Sequence, residues 1–286
     1  MVTVDEAHCI SQWGHDFRPD YLYVSRFIKA RQRGAPSPVF CFTATAKPDV
    51  VADICAHFER RLGVALARLE GGVSRNNLDY EVRAVLPQAK YAETLRLLED
   101  SLREEGGAIV FCARQKTVEE IAKFLQDGGL PCAYFHGGML PADKRRVQEA
   151  FLAGQLRVIA ATNAFGMGVD KPDVRLVIHL DTPGSLENYL QEAGRAGRDQ
   201  APARCVLLFD EKDLDVQFRL LKQSRLTQHD IHAILKALRA IERKDRSEGE
   251  VVVTSGEVLV EMPDNHRLDP EGRDTDTKVR IAIAWL

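Results

Sequence analysis

The sequence has no apolar run approaching the roughly 18 residues that a membrane-spanning helix needs. Its opening residues, MVTVDEAHCIS, lack both the basic start and the apolar stretch of a secretory signal. Its six cysteines (Cys9, Cys41, Cys55, Cys112, Cys132, Cys205) form no CxxC pair, so no zinc site is visible. Scattered single cysteines read as buried thiols of a reducing compartment, and the expected location is the cytoplasm, with no membrane partner. No Gly-x-x-x-x-Gly-Lys-[Ser/Thr] segment occurs, because none of Gly71-Gly72, Gly106-Gly107, Gly128-Gly129 or Gly137-Gly138 leads into Lys-Ser or Lys-Thr. The amide cradle and lysine of a P-loop are thus not present in these 286 residues. A dominant charge is missing as well: 39 basic against 42 acidic residues leave −3, which does not mark the whole chain as a nucleic-acid binder. Repeats and low-complexity tracts are absent, and 45% hydrophobic with 28% charged residues excludes collagenous, mucin-like and wholly disordered chains.

What is present is an alternation. Up to about Phe209, short β-rich apolar runs (Val2–Val4, Val39–Phe42, Tyr80–Val85, Ala108–Cys112, Cys132–Phe135, Val158–Ala161, Val174–Leu180, Cys205–Phe209) are separated by helix-period stretches such as Tyr91–Leu102, Val118–Leu125 and Arg146–Leu152. This pattern predicts an α/β fold, a parallel sheet with helices on both faces. A turn signal at Gly71-Gly72 divides it into two layers.

Beyond Phe209 the pattern becomes helical. Asp213–Lys222 and Gln228–Arg243 read as helices, the second with Ile231, Ile234, Leu235, Leu238 and Ile241 on one stripe. A β-like run follows at Val251–Val253, and a last helix begins at Thr275–Thr277 and stops at Leu286 in mid-stripe, which reads as a cut end. Local charge splits here. Val216–Arg246 holds eight basic against three acidic residues (+5), and Ser247–Leu286 four basic against nine acidic (−5). Such a pair of blocks is either a solvated surface or a basic contact face beside an acidic one.

The chemistry concentrates where the first strand runs into Asp5-Glu6-Ala7-His8. A carboxylate pair at the C-terminal end of a parallel strand is suited to hold Mg²⁺ and steer a water in phosphoryl transfer, although an acidic pair there can also simply cap a helix. The longer stretch DEAHCISQWGHDFRPDY, Asp5 to Tyr21, closely resembles the Walker B motif and adjoining aromatic-rich loop of RecQ-family DNA helicases. Further pieces follow in that family's order. FTATA (Phe42–Ala46) resembles motif III of superfamily 2, and SRNNL (Ser74–Leu78) the Arg-x-Asn segment between the family's two RecA-like domains. IVFCARQKTVEEIAKFL (Ile109–Leu125) resembles motif IV with its helix, and AYFHGGM (Ala133–Met139) the strand and loop behind it. ATNAFGMGVDKPDVRLVIH (Ala161–His179) is similar to motif V and QEAGRAGRD (Gln191–Asp199) to motif VI, with Gln200 where glycine is usual.

The resemblance implies part of a first RecA-like domain over 1–78, a complete second one over 79–212, and over 213–286 a helical linker and the start of a winged-helix unit. It implies ATP and Mg²⁺ as cofactors, and single-stranded and forked or duplex DNA as partners of a monomeric 3′-to-5′ helicase of DNA repair and recombination. By carry-over, Asp5 holds Mg²⁺, Glu6 orients or deprotonates the attacking water, and His8 completes the catalytic set. Gln191, Arg195 and Arg198 reach the phosphates from the second domain, with Gly168 and Asp170 beside the nucleotide and Arg198 the better finger.

The spacing of Arg195 and Arg198, three apart, predicts one helical turn with both guanidiniums on one side. An ordinary surface pair of arginines is the alternative. Trp13, His15, Phe17 and Arg18 interleave aromatics with charge in the manner of a base-stacking platform, against the alternative that Trp13 and Phe17 are core anchors. Asn76, Arg114, His136, Thr162 and Asn163 are the candidates to grip a DNA backbone, and His136 reads equally as a satisfied loop histidine. His229 and His232 share a helix face but lack a third ligand.

In the family the P-loop strand precedes DEAH, so Met1 is expected to fall inside the first RecA-like domain, leaving an exposed sheet edge and an uncovered apolar face. By itself this chain is then expected to be inactive as an ATPase. A non-enzymatic nucleic-acid-binding piece is the competing reading.

Overall fold

A computed structural model of the protein describes residues 1–11, 18–31, 38–43, 47–69, 71, 75–103, 106–165, 169–224, 226–245, 253–262 and 275–285. The chain divides into two compact units, one formed by Leu69–Phe218 and the other by Met1–Arg68 with Arg219–Leu286.

The Leu69–Phe218 unit is built on six strands: β3 (Leu78–Ala84), β4 (Gly107–Phe111), β5 (Cys132–Phe135), β6 (Val158–Ala161), β7 (Val174–His179) and β8 (Ala203–Phe209). They lie in the order β3-β8-β7-β4-β6-β5, and every neighbouring pair is parallel. Parallel strands need a crossover between them, and helices α3 (Lys90–Ser101), α4 (Gln115–Asp127), α5 (Pro141–Leu152) and α6 (Leu186–Ala193) occupy those connections. The side-chain period of two then sorts each strand into two cores. Ala108, Val110, Val158, Ala160, Leu176, Ile178, Val206 and Leu208 face Leu97 and Leu98 of α3 and Val118, Ile121 and Leu125 of α4. Ile109, Phe111, Ile159, Ala161, Val177 and Cys205 face the opposite way, toward Phe151 of α5, Phe165 and Ala193 of α6. All five residues of central strand β4 are buried, as a strand covered on both faces requires. The predicted parallel sheet with helices on both faces is therefore the observed one.

In the other unit, β1 (Val2–Val4) pairs in parallel with β2 (Val39–Cys41). Helices α1 (Val24–Arg31) and α2 (Pro48–Leu62) cover the pair through Val4, Ile10, Ile28, Val50, Ile54 and Phe58, while Phe40 and Phe42 remain exposed. The later part holds α7 (Lys212–Ser224), whose start belongs to the Leu69–Phe218 unit, then α8 (Gln228–Asp245), α9 (Ser255–Glu261) and α10 (Thr275–Trp285). The last three share a core of Ala233, Ile234, Ala237, Val258, Met262, Val279 and Ala282. Of the expected β-like run, Val251 and Val252 lie outside the described residues, and Val253 leads into α9. Helix α9 opens with a capping box in which the Thr254 hydroxyl accepts from the Glu257 amide and the Glu257 carboxylate accepts from the Thr254 amide.

One ionic contact fixes how α7 leaves the larger sheet. Lys90 and Asp213 are buried, and the Lys90 ammonium donates to both Asp213 carboxylate oxygens at 2.7 and 2.8 Å and to the Leu180 carbonyl at 2.7 Å. The Asp213 carboxylate also accepts from the Thr182 hydroxyl and the Asp210 amide. Removing one partner strands the other charge in the interior. Asp213→Ala is expected to cost about 3–5 kcal/mol in urea unfolding of this unit, and Lys90→Met with Asp213→Leu to recover most of that loss.

Candidate functional site

Strand β1 ends at Val4 and delivers Asp5 exposed at its C-terminal end. Glu6 then takes a left-handed conformation, φ 48°, which a non-glycine residue seldom adopts, and turns the chain into the short 3₁₀ helix Ala7–Ile10. The Glu6 amide donates to its neighbour's carboxylate, Asp5 Oδ1, at 3.0 Å. Buried His8 places Nδ1 3.3 Å from Glu6 Oε2 and 3.1 Å from Thr43 Oγ1. The histidine thus ties the second carboxylate to the start of the FTATA segment, whose Ala44–Ala46 lie outside the described residues. Two carboxylates, one exposed at a strand end and one braced by an imidazole, are a hard-oxygen donor set of the kind that fits Mg²⁺.

Trp13, His15 and Phe17 lie outside the described residues, as does Gly168. The two ends of the 12–17 segment are described. At the entry, buried Ser11 donates to Asp53 Oδ2 of α2 at 2.7 Å. At the exit, the amide of exposed Arg18 donates to the Cys9 carbonyl at 3.0 Å, and the Tyr21 hydroxyl donates to the Asp5 carbonyl at 3.2 Å. Burial, with a smaller push from the Cys9 thiol, raises the Tyr21 hydroxyl above its ordinary pKa, so it remains a donor. The segment's exit is therefore fastened to the backbone of the carboxylate turn.

In the Leu69–Phe218 unit the structure brings four of the candidate strand-gripping residues to one edge. Phe111, Ala161 and Phe135 lie in one register row across β4, β6 and β5. The residues just beyond that row are Cys112 to Arg114, Thr162-Asn163 and His136 to Gly138. Arg114 and Asn163 are exposed; Thr162 and His136 are buried. His136 Nε2 lies 2.9 Å from Glu119 of α4, and the ring stacks on half-exposed Tyr134. Gly138 lies close against Gln115 of α4, where an added Cβ would sit 2.8 Å from the movable Gln115 Oε1. Beside this row, burial lifts the Asp181 carboxyl above its usual range although it accepts the Ala113 amide. Asn76 is exposed at the entry to β3, away from that edge.

Motif VI departs from the expectation. Helix α6 begins at a Ser185 cap, carries exposed Gln191, and ends at Ala193. Arg195 and Arg198 therefore do not share a helical turn. They lie on the irregular turns that follow, where Gly197 at φ 54° breaks the helical geometry and its amide donates to the Val174 carbonyl of β7. Arg198 Nη1 donates to Asp170 Oδ1 at 2.8 Å and to the Val169 carbonyl at 3.2 Å, joining two of the predicted nucleotide residues. Arg195 is half-buried with its Nε enclosed. Glu192 points inward, its carboxylate 3.0 Å from Nε2 of fully buried His179, which stacks on Phe111.

Two residues outside the sequence-derived candidates hold this turn. Arg75 donates to the carbonyls of Gly194, Ala196 and Gly197, and Asn77 to those of Gly197 and Ala201. Both flank Asn76, the one residue of SRNNL singled out from sequence. Their only signal was two fork-shaped donors at the entry to an edge strand.

Among the described residues, no group of three His, Cys, Asp or Glu side chains is gathered to hold a metal, and no helix is long and apolar enough to cross a membrane.

With this geometry in hand, comparison with known proteins is specific. Residues 89–200 match the family described as helicase conserved C-terminal domain. The chain is 40% identical over 229 residues to the ATP-dependent DNA helicase RecQ of Bacillus subtilis (strain 168), covering 78% of this chain and 36% of that protein. It is 36% identical over 246 residues to the probable ATP-dependent DNA helicase RecS of the same organism, covering 86% and 48%. With the ATP-dependent helicase SGS1 of Saccharomyces cerevisiae it shares 39% identity over 225 residues, 78% of this chain and 15% of that protein. The chain thus spans less than half the length of these curated relatives. Among solved structures, S. cerevisiae Dbp5 bound to RNA and ADP BeF3 superposes with a TM-score of 0.60 at 21% identity, over 77% of this chain and 55% of that one. That likeness concerns the RecA-like fold.

The usual glycine after motif VI has a physical reason here. Gln200 occupies the left-handed region at φ 69°, where a Cβ is disfavoured. Gln200→Gly is expected to stabilise the Leu69–Phe218 unit by about 1 kcal/mol, read as a raised urea midpoint at unchanged slope.

Proposed function

We propose that this chain, which belongs to the RecQ family of superfamily 2 helicases, is the part of an ATP-dependent DNA helicase that couples hydrolysis to 3′-to-5′ movement along single-stranded DNA and to opening of forked or duplex DNA. Its boundaries in this reading are 1–78 and 79–212 for the two RecA-like parts and 213–286 for a helical linker leading into a winged-helix unit. The observation that carries the reading is the 36–40% identity, over more than three quarters of the chain, to proteins named as ATP-dependent helicases.

The residues support a division of labour. Asp5 is the oxygen donor that would hold Mg²⁺ with ATP, whose hydrolysis would supply the free energy. Glu6, fixed by His8 against Thr43, aligns the attacking water and accepts its proton. Arg195 and Arg198 offer permanent charge to the phosphoryl group in transfer, with Gln191 alongside and Asp170 keeping the Arg198 guanidinium oriented. Gly168 allows the backbone to approach the nucleotide closely. Trp13, His15, Phe17 and Arg18 stack on unpaired bases, and fastening of that segment to Asp5 through Tyr21 gives strand contact a short route to the carboxylates. Arg114, His136, Thr162 and Asn163, from one sheet edge, with Asn76, grip the sugar-phosphate backbone. The protein acts as a monomer in DNA repair and recombination, and its six free thiols suit a reducing cytoplasm.

In the whole protein, Glu6→Gln is expected to lower DNA-stimulated ATP hydrolysis by about 100-fold or more while leaving nucleotide binding intact. Steady-state turnover beside equilibrium titration of a fluorescent ATP analogue measures both, and turnover near wild type would contradict the role of Glu6. Trp13→Ala is expected to remove the stimulation by single-stranded DNA and spare the basal rate. A DNA-response curve matching wild type would return Trp13 to an ordinary packing role.

A further inference from the structure

We propose that Arg75 and Asn77 are positioning residues for the two motif VI arginines, holding the turn that carries Arg195 and Arg198 in the one shape that can present them. The proposal rests on the reading of those arginines as phosphate-facing groups and adds the device that sets their geometry.

The turn holds itself only in part, the Gln200 amide donating to the Gly197 carbonyl at 3.0 Å. Helix α6 ends at Ala193, so the carbonyls that follow have no next helical turn to accept for, and buried carbonyls need donors from elsewhere. Arg75 provides most of them. Its Nη1 lies 3.4 Å from the Gly194 carbonyl, and its Nη2 lies 2.8 Å from that of Ala196 and 2.7 Å from that of Gly197. Asn77 completes the grip with Nδ2 2.8 Å from the Gly197 carbonyl and 3.0 Å from that of Ala201. The clamp is itself braced, since Arg75 Nε donates to Asn77 Oδ1 at 3.3 Å and the Ala203 amide donates to the Asn77 carbonyl at 2.9 Å. The carbonyls held on Gly194, Ala196 and Gly197 flank Arg195 on both sides and reach the residue before Arg198.

Space agrees with the hydrogen bonds. A Cβ at Gly197 would stand 2.5 Å from Asn77 Nδ2 and 2.8 Å from the Ala201 carbonyl, so the close approach of the turn to Asn77 requires glycine here. The choice of arginine follows from the task. A planar guanidinium reaches three carbonyls from fixed directions, which an ammonium on a flexible stem cannot do at once. Both residues are half-buried. They also come shortly after the Arg68–Leu69 boundary, at the point where the chain enters this unit.

The test uses the whole protein, with Arg75→Ala, Arg75→Lys and, as the gentler lesion, Asn77→Ala. Arg75→Ala is expected to lower kcat for DNA-stimulated ATP hydrolysis about tenfold or more with KM for ATP held within about twofold, because misplaced arginines forfeit transition-state contacts rather than binding. Arg75→Lys should fall between it and wild type, and Asn77→Ala should show the same split at smaller size. Hydrogen exchange of the Gly194–Ala201 amides should quicken in all three variants while β4 and β6 stay protected. An unchanged kcat in folded Arg75→Ala and Asn77→Ala, or a kcat loss that only tracks a lowered unfolding temperature, would overturn the proposal. A wild-type protein without ATP turnover would instead fail the helicase reading, and the exchange data alone would then decide whether the clamp holds the turn.

Discussion

Every strand of the larger sheet runs the same way, and the arrangement of candidate residues there follows from that constraint. A parallel sheet cannot be closed by hairpins, so each strand must hand the chain to a crossover, and all six C-terminal ends emerge along one edge. Both faces are committed to helices, with alternate side chains of β4, β6, β7 and β8 feeding one core or the other. The edge is what remains for chemistry, as is general for open α/β sheets. Arg114, His136, Thr162 and Asn163 are separated widely in sequence and become neighbours because β4, β6 and β5 end in one register row.

That also explains how much was legible beforehand. The eight apolar runs became eight strands because short runs rich in branched residues, most of them followed by a helical period, have few other ways to bury themselves. Strand order was not readable, since β3 comes first in the unit yet pairs with its last strand, β8, and nothing local records that. Helix α9 is signalled only by Thr254-Ser-Gly-Glu257, which spells a capping box, because its apolar residues Val258, Leu259 and Val260 run consecutively and mark no helical stripe. The motif VI arginines lie beyond the helix on which their spacing would place them. A spacing of three is compatible with a helical turn, but the helix stops at Gly194 and Gly197 then turns left-handed between the two arginines.

The residues that hold the site were the least legible part. Tyr21, Arg75, Asn77 and His179 each act on a backbone or carboxylate well away in sequence, from 13 positions for His179 and Glu192 to 124 for Asn77 and Ala201. A motif records the group that does the chemistry. It does not record the donor that fixes the group, because that donor is chosen by the fold and can come from any strand that reaches the spot. Polar residues at an edge-strand entry, such as Arg75 and Asn77, carry no periodicity that would separate them from solvated surface.

Backbone strain gives an independent pointer to the same two segments. Among the described residues, only Glu6 and Gln200 lie at positive φ without being glycine. One follows Asp5 in the carboxylate turn; the other closes the arginine turn. Each left-handed residue costs on the order of 1 kcal/mol or more and persists only where surrounding contacts over-determine it. Those contacts are visible: Glu6 is fixed through His8 and the Asp5 carboxylate, and Gln200 follows a turn whose carbonyls Arg75 and Asn77 hold from outside. A chain selected for stability alone would place glycine at both positions. Glu6 cannot be glycine if its carboxylate is the proton acceptor, so the strain there is the consequence of needing a side chain at a point where the backbone must reverse. No such need is evident for Gln200, and that asymmetry separates a strain imposed by chemistry from one merely tolerated by a well-held turn.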